Sequence, residues 1–168
     1  VVGGAAGMAG AVVMAARAAS RAGAGYVRVA APASLHDLLA SQLVEQMPVA
    51  CGEGSLRSLT TTAAARVIEE ASRADAVALG PGLSRHADAV RFAHAVLPRL
   101  ECPVVLDADA LFAFSPPEFD LGAILAKSPG PRIVTPHLGE MARLTGELPS
   151  TLEANRVDVA GKWAKKWN

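Results

Sequence analysis

Pro103-Val104-Val105-Leu106-Asp107-Ala108-Asp109-Ala110-Leu111 decides how the chain is read. Val104, Val105 and Leu106 form a short unbroken apolar run between a proline and two acids, the pattern of a strand buried on both faces. Comparable runs occupy residues 26–30, closed by Pro32, residues 75–79, leading into Gly80-Pro81-Gly82, and residues 132–134, ending at Thr135-Pro136-His137. Residues 47–50 suit an edge strand, because Pro48 lacks the N–H that a central strand needs. Val1-Val2, running straight into Gly3-Gly4, reads as the tail of one more strand.

Helices are expected between these runs. Residues 7–22 are Ala-rich and free of proline, which favours a helix with small residues on its packed face. Ser34 is the expected N-cap of a helix over residues 35–43. Further helices are expected over residues 63–72, 87–97, 138–144 and 151–167, the last carrying Trp163 and Trp167 four apart on one apolar stripe. The Pro/Gly-rich residues 115–131 read as a surface connection. Short apolar strands alternating with helices predict an α/β fold with a mostly parallel sheet and helices on both faces. Residues 1–168 are expected to form a single partial domain, because the chain begins inside a strand pattern and stops inside a helix pattern.

Composition narrows the function. The 168 residues are 51% hydrophobic and 19% charged, and mean hydropathy is +0.29. That is too apolar for a disordered chain, yet no stretch is long and apolar enough to span a membrane. Lys+Arg and Asp+Glu number 16 each, so the basic footprint of a nonspecific nucleic-acid binder is missing. Cys51 and Cys102 have neither metal nor disulfide-framework spacing, which fits a reducing, cytoplasmic setting. His36, His86 and His94 are expected on helix surfaces, without a role.

In parallel sheets of this kind, ligands bind outside the carboxyl ends of the strands. Four such ends carry unusual residues. Gly3-Gly4-Ala5-Ala6-Gly7-Met8-Ala9-Gly10-Ala11 can let backbone amides approach an anion at a helix start, or can be a tight strand-to-helix turn. It is neither GxGxxG nor a Walker P-loop, and the second strand ends at Ala31-Pro32 without a ribose-binding acid. Gly80-Pro81-Gly82-Leu83 reads first as a rigid turn. Asp107 and Asp109 can hold Mg²⁺ through water, or Asp109 can cap a helix while Asp107 bonds a neighbouring loop. In Thr135-Pro136-His137-Leu138-Gly139-Glu140, Pro136 fits a first helical turn and Glu140 complements the helix dipole. His137 then faces the strand-end rim. The two lack the spacing and third ligand of a zinc site.

Taken in order, these four motifs, with DADAL at residues 107–111 and TPHLGEM at residues 135–141, resemble the NAD(P)H-hydrate dehydratase family of the ribokinase-like superfamily. The resemblance covers nearly the whole chain. It implies a three-layer α/β/α ribokinase-like fold, truncated at both ends, of which this chain is the substrate-side portion. It implies a bacterial repair enzyme that returns hydrated NADH or NADPH to the reduced nucleotide, using ADP or ATP with Mg²⁺. Ala11, Gly82 and His137 match positions that contact the hydrated nicotinamide nucleotide. Asp107 would lie near the phosphates and Mg²⁺, with Glu140 a second candidate for ordering metal-bound water. The resemblance also implies a homo-oligomer.

Ala5 and Leu138 depart from the Ser and Pro that the family often has there. The family continues with a Lys-Gly segment that holds the adenine nucleotide and a Gly-x-Gly-Asp motif with the catalytic base. No Gly-x-Gly-Asp occurs in this sequence, so the catalytic Asp is expected beyond Asn168. Two alternatives stand beside this reading: a related kinase such as a hydroxyethylthiazole kinase, and a non-catalytic nucleotide-binding module.

Overall fold

The computed structural model describes residues 1–115 and 119–167. Five strands, β1 (Arg28–Pro32), β2 (Met47–Cys51), β3 (Val77–Leu79), β4 (Val104–Leu106) and β5 (Arg132–Val134), run parallel. β1 pairs with β2, and β3, β4 and β5 pair in that order. Residues 1–3 join the two sets. The Val2 amide donates to Ala78 O at 2.7 Å, the Gly3 amide donates to Ala30 O at 3.1 Å, and Val2 O accepts from the Gly80 amide at 3.0 Å. Val2 is thus a one-residue bridge between Ala30 of β1 and Leu79 of β3. The chain leaves this centre toward β2, then returns to build the other half through β3. Residues 1–4 therefore lie where the strand order reverses, the place at which such sheets leave a crevice for ligands.

Why β1 reads as a continuous apolar run is visible in its packing. Val29 and Ala31 face α1 (Ala9–Arg21) and α2 (His36–Gln42), joining Val12, Val13, Ala16 and Leu39 in one core. Ala30 faces the opposite way, into a second core with Val2, Leu79, Leu106, Phe92 and Leu111. α3 (Ala64–Ala71), α4 (Ala87–Val96) and α5 (Asp109–Ala113) line that side. Leu79 and Leu106 are wholly buried, each worth about 1.5–3 kcal/mol relative to exposure.

The two halves of the sheet differ. Ala78, Val105 and Ile133 are register partners across β3, β4 and β5. By strand alternation they face away from Leu79 and Leu106. None of the three belongs to either core, and Ile133 is 58% exposed. Among the described residues, the sheet has helices on both faces at β1 and on one face at β3 to β5.

Several local expectations are corrected. α1 starts at Ala9, because Gly7 turns the chain with φ +78°. Tyr26 is 88% exposed and outside β1. Ser34 does not cap α2. The helix opens through a 3₁₀ turn over Ala33–Leu35, and the Ser34 hydroxyl donates instead to Glu53 Oε2 at 2.7 Å. Residues 115–131 are not merely a connection. They contain α6 (Leu121–Leu125), capped by the Asp120 side chain, with Leu121 buried; residues 116–118 of that stretch lie outside the described residues. The helix expected over residues 151–167 is two, α8 (Pro149–Ala154) and α9 (Arg156–Trp167), separated at Asn155. The stripe survives the break, with the Trp163 and Trp167 rings 5.1 Å apart. His94 is not a surface residue either: its ring lies against Phe114, and Nε2 meets Ala113 O at 2.6 Å.

Candidate active site

At the carboxyl rim, the glycines are what allow the loops to touch. A Cβ on Gly3 would stand 2.2 Å from Pro81 O, and one on Gly80 would stand 1.9 Å from Asp107 O. Gly82, at φ +62°, packs on α1, where a Cβ would meet Met8 O at 2.6 Å and the Ala11 Cβ at 3.1 Å. Side chains cannot be accommodated at such separations without movement. The Gly4 amide donates to Pro81 O at 3.0 Å, closing the same contact. Both open readings of these loops meet here. They are tight turns, and their tightness brings Ala11 and Gly82 side by side at the point where the strand order reverses. α1 begins there without a side-chain cap, leaving the amides of Ala9 and Gly10 without a backbone acceptor. Uncapped amides at a helix start favour an anion.

β4 ends in the two acids, and the structure separates their roles. Asp109 is buried; its Oδ2 accepts from the Ser84 amide at 3.0 Å and its Oδ1 accepts from Arg85 Nε at 2.9 Å. It clamps the turn after Gly82 rather than capping α5. Ser84 (φ +82°) and Ala108 (φ +50°) both lie in the left-handed half of backbone space, on either side of this clamp. Such conformations cost about 1–3 kcal/mol each and persist only where the surroundings enforce them. The Asp107 backbone is tied to β3 by its amide, which donates to Leu79 O at 3.1 Å. Its half-buried carboxylate has no hydrogen-bond partner among the described residues. Of the two acids, Asp107 has its oxygens free for a ligand.

α7 (Leu138–Thr145) starts where expected, with His137 as its N-cap, so Pro136 precedes the helix rather than lying in its first turn. His137 Nδ1 accepts from the Gly139 amide at 3.0 Å and from the Glu140 amide at 3.3 Å. Glu140 Oε2 accepts from the His137 amide at 2.9 Å, and Oε1 lies 3.3 Å from Nε2. One Glu140 oxygen thus holds the His137 backbone while the other faces its ring. With Nδ1 an acceptor, the neutral ring carries its proton on Nε2. The ring remains 70% exposed while Glu140 is buried, so a histidine of defined tautomer is held open at the rim. Thr135 ties this end of β5 to β4 through Leu106 O.

Ser84 and Arg85 did not stand out in the sequence. An arginine after a glycine turn looks like any solvated arginine, and its partner Asp109 is 24 residues away. Among the described residues, no group of three or more His, Cys, Asp or Glu side chains is gathered for a metal, and no helix is long and apolar enough to cross a membrane. A groove of about 610 Å³ opens elsewhere, beside β5, between Ile133, Met141, Trp163 and Trp167. It is lined without a carboxylate or histidine, and the chemistry-bearing residues belong to the glycine rim instead.

The model of the NAD(P)H-hydrate dehydratase family matches residues 1–168. The chain is 38% identical over 166 residues to the bifunctional NAD(P)H-hydrate repair enzyme Nnr of Moorella thermoacetica, covering 99% of this chain and 31% of that protein. It is 35% identical over 167 residues to the ADP-dependent (S)-NAD(P)H-hydrate dehydratase of Xanthomonas campestris, covering 99% of this chain and 54% of the relative. Among solved structures, it is similar to a ribokinase-like superfamily protein of Enterococcus faecalis, with TM-score 0.75 and 25% identity, over 96% of this chain and 52% of that one. It is also similar to the ADP/ATP-dependent NAD(P)H-hydrate dehydratase of Bacillus subtilis co-crystallized with ATP/Mg²⁺, with TM-score 0.68 and 28% identity, over 97% and 52%. The fold is ribokinase-like, and the chain spans about a third to a half of the length of these relatives.

Proposed function

Since the chain belongs to the NAD(P)H-hydrate dehydratase family, we propose that it is the substrate-side part of an enzyme that dehydrates the S-form of hydrated NADH or NADPH at the expense of ADP or ATP. The observation that carries this reading is the contact between Gly82 and Ala11 at the uncapped start of α1. It sets the glycine turn against the uncapped helix start at the place in the sheet where, in this reading, a flat ring and an anion lie together.

In this reading, hydroxide is too poor a leaving group to depart from the hydrated ring. The ring hydroxyl gives its proton to a base as its oxygen attacks the terminal phosphorus of the nucleotide, the shortened nucleotide leaves, and a phosphate ester forms. The ring nitrogen lone pair then expels phosphate, and loss of a ring proton restores the double bond. The chain's own share is positioning. Ala11 and Gly82 seat the hydrated nicotinamide. His137 presents the exposed edge of its ring to it, held by Glu140. Glu140 is assigned to that support rather than to metal-bound water, since it is buried, with one oxygen accepting from the His137 amide and the other facing the ring.

Mg²⁺ is bound in proteins by one or two carboxylates together with phosphates and water. Asp107, with its oxygens unengaged at the same rim, fits the single-carboxylate form of such a site. Bound there, the ion would neutralise charge on the transferred phosphoryl group. The same reading makes the enzyme cytoplasmic, as the cysteine spacing suggested, and homo-oligomeric, as the family resemblance implied.

The test uses the complete gene product. Incubation with hydrated NADPH, Mg²⁺ and ADP or ATP is expected to restore the absorbance of the reduced nicotinamide. Absence of recovery with both nucleotides refutes the reading. Residues 1–168 alone are expected to give no recovery.

A further inference from the structure

Arg85 and Arg143 stand over one ring. Their guanidinium carbons lie 5.1 Å and 5.4 Å from the centroid of Phe112. Arg85 approaches from the turn after Gly82, Phe112 from α5 and Arg143 from the last turn of α7, so three elements converge. Asp109 engages Arg85 through Nε alone, at 2.9 Å. The Arg85 side chain is half exposed, whereas the Asp109 side chain is only 12% exposed. The guanidinium is thus fixed from below by a buried carboxylate and from the side by an aromatic face. Its two Nη groups have no hydrogen-bond partner among the described residues.

Among the described residues, Asp109 is the carboxylate that meets this pair, so one positive charge of the two is left unbalanced. Two guanidiniums held against one ring repel each other, and an anion within reach of both relieves that repulsion. The planar fork of arginine suits one anion in particular, because parallel N–H donors match the oxygens of a phosphate. Arg85 is three residues from Gly82, a span of at most about 10 Å. A molecule seated on Gly82 and Ala11 can therefore extend to it.

We infer that Arg85 and Arg143, oriented by Asp109 and Phe112, bind a phosphate group of the hydrated dinucleotide substrate. They are binding residues for the half of the substrate that does not react. The inference rests on the function proposed above and extends it. Either the diphosphate bridge or the 2′-phosphate of the NADPH form supplies the same chemistry.

The experiment compares the complete gene product with its Arg85→Ala, Arg85→Lys and Arg143→Ala variants. KM and kcat are measured for hydrated NADPH, hydrated NADH and hydrated reduced nicotinamide riboside, which has no phosphate, and KM is measured for ADP. Each variant is expected to raise KM for hydrated NADPH by about tenfold, as loss of a hydrogen bond to a charged group would. The riboside and ADP constants should stay within about twofold of the parent. Equal rises for hydrated NADH and NADPH assign the diphosphate, and a rise confined to hydrated NADPH assigns the 2′-phosphate. Arg85→Ala strands Asp109 and can disturb the turn. Arg143→Ala leaves that pair intact, so its KM ratio decides the matter whatever befalls the first variant. Unchanged KM for both dinucleotides in an active Arg143→Ala enzyme, or a rise for ADP in its place, overturns the inference. A parent that restores no NADPH overturns the underlying function and this inference with it.

Discussion

Replacing Gly82 by alanine tests whether the rim is built by close approach of backbone or only by backbone conformation. At Gly82 the new methyl meets two difficulties. The φ of +62° costs an L-residue about 1–2 kcal/mol. In addition, the Cβ would lie 2.6 Å from Met8 O, a backbone atom that can move only if α1 moves. Overpacking of that kind costs about 1–3 kcal/mol. The total is about 2–5 kcal/mol, which lowers Tm by about 5–15 °C in a domain of this size. Gly7 supplies the control. Its φ of +78° carries a similar conformational penalty, yet nothing lies within 4 Å of a Cβ placed there. Gly7→Ala should therefore lower Tm by only about 2–8 °C, less than Gly82→Ala. Thermal unfolding of the complete gene product and the two variants, followed by circular dichroism, makes the comparison. Equal shifts would refute the argument that contact between the turn at Gly82 and α1 shapes the site.

Three further outcomes are expected. His137→Ala and Glu140→Ala dismantle the same cap, so each should lower stability by about 1 kcal/mol and weaken hydrated NADPH more than ADP in the complete gene product; equal losses of both ligands would contradict the role given to the ring. Burial pushes the Cys51 thiol up to about 11 from 9.0, so iodoacetamide at pH 8 should label the partly exposed Cys102 first, as mass spectrometry of peptides would report. The unfolded thiol loses its proton near pH 9.0 while the folded one keeps it to about 11, so Cys51 withdraws stability progressively as pH rises through that window. Urea midpoints that do not fall more steeply there for the parent than for Cys51→Ala would contradict that assignment.

The strands were legible because parallel strands read as near-continuous apolar runs, and Val104-Val105-Leu106 keeps that pattern even though Val105 faces away from the core. The order of the motifs along the chain was equally legible, and it was enough to identify the family. α6 was not, because five residues of Leu-Gly-Ala-Ile-Leu are too short to display helical periodicity inside a Pro/Gly-rich stretch. Ser34 looked like a cap because its residue type suits one, but a tertiary partner, Glu53, took the hydroxyl.

From its sequence alone, this protein's class, its parallel strands and the residues ending them were determined, since burial of a repeating backbone constrains which side chains can occur at each period. What each of those residues does was decided only in three dimensions. Asp107 and Asp109 are two positions apart in one motif, yet one holds Ser84 and Arg85 while the other keeps its oxygens unengaged. Nothing local distinguishes them. A carboxylate's role depends on which donors the fold brings within about 3 Å of it, and those donors come from a loop 24 residues away.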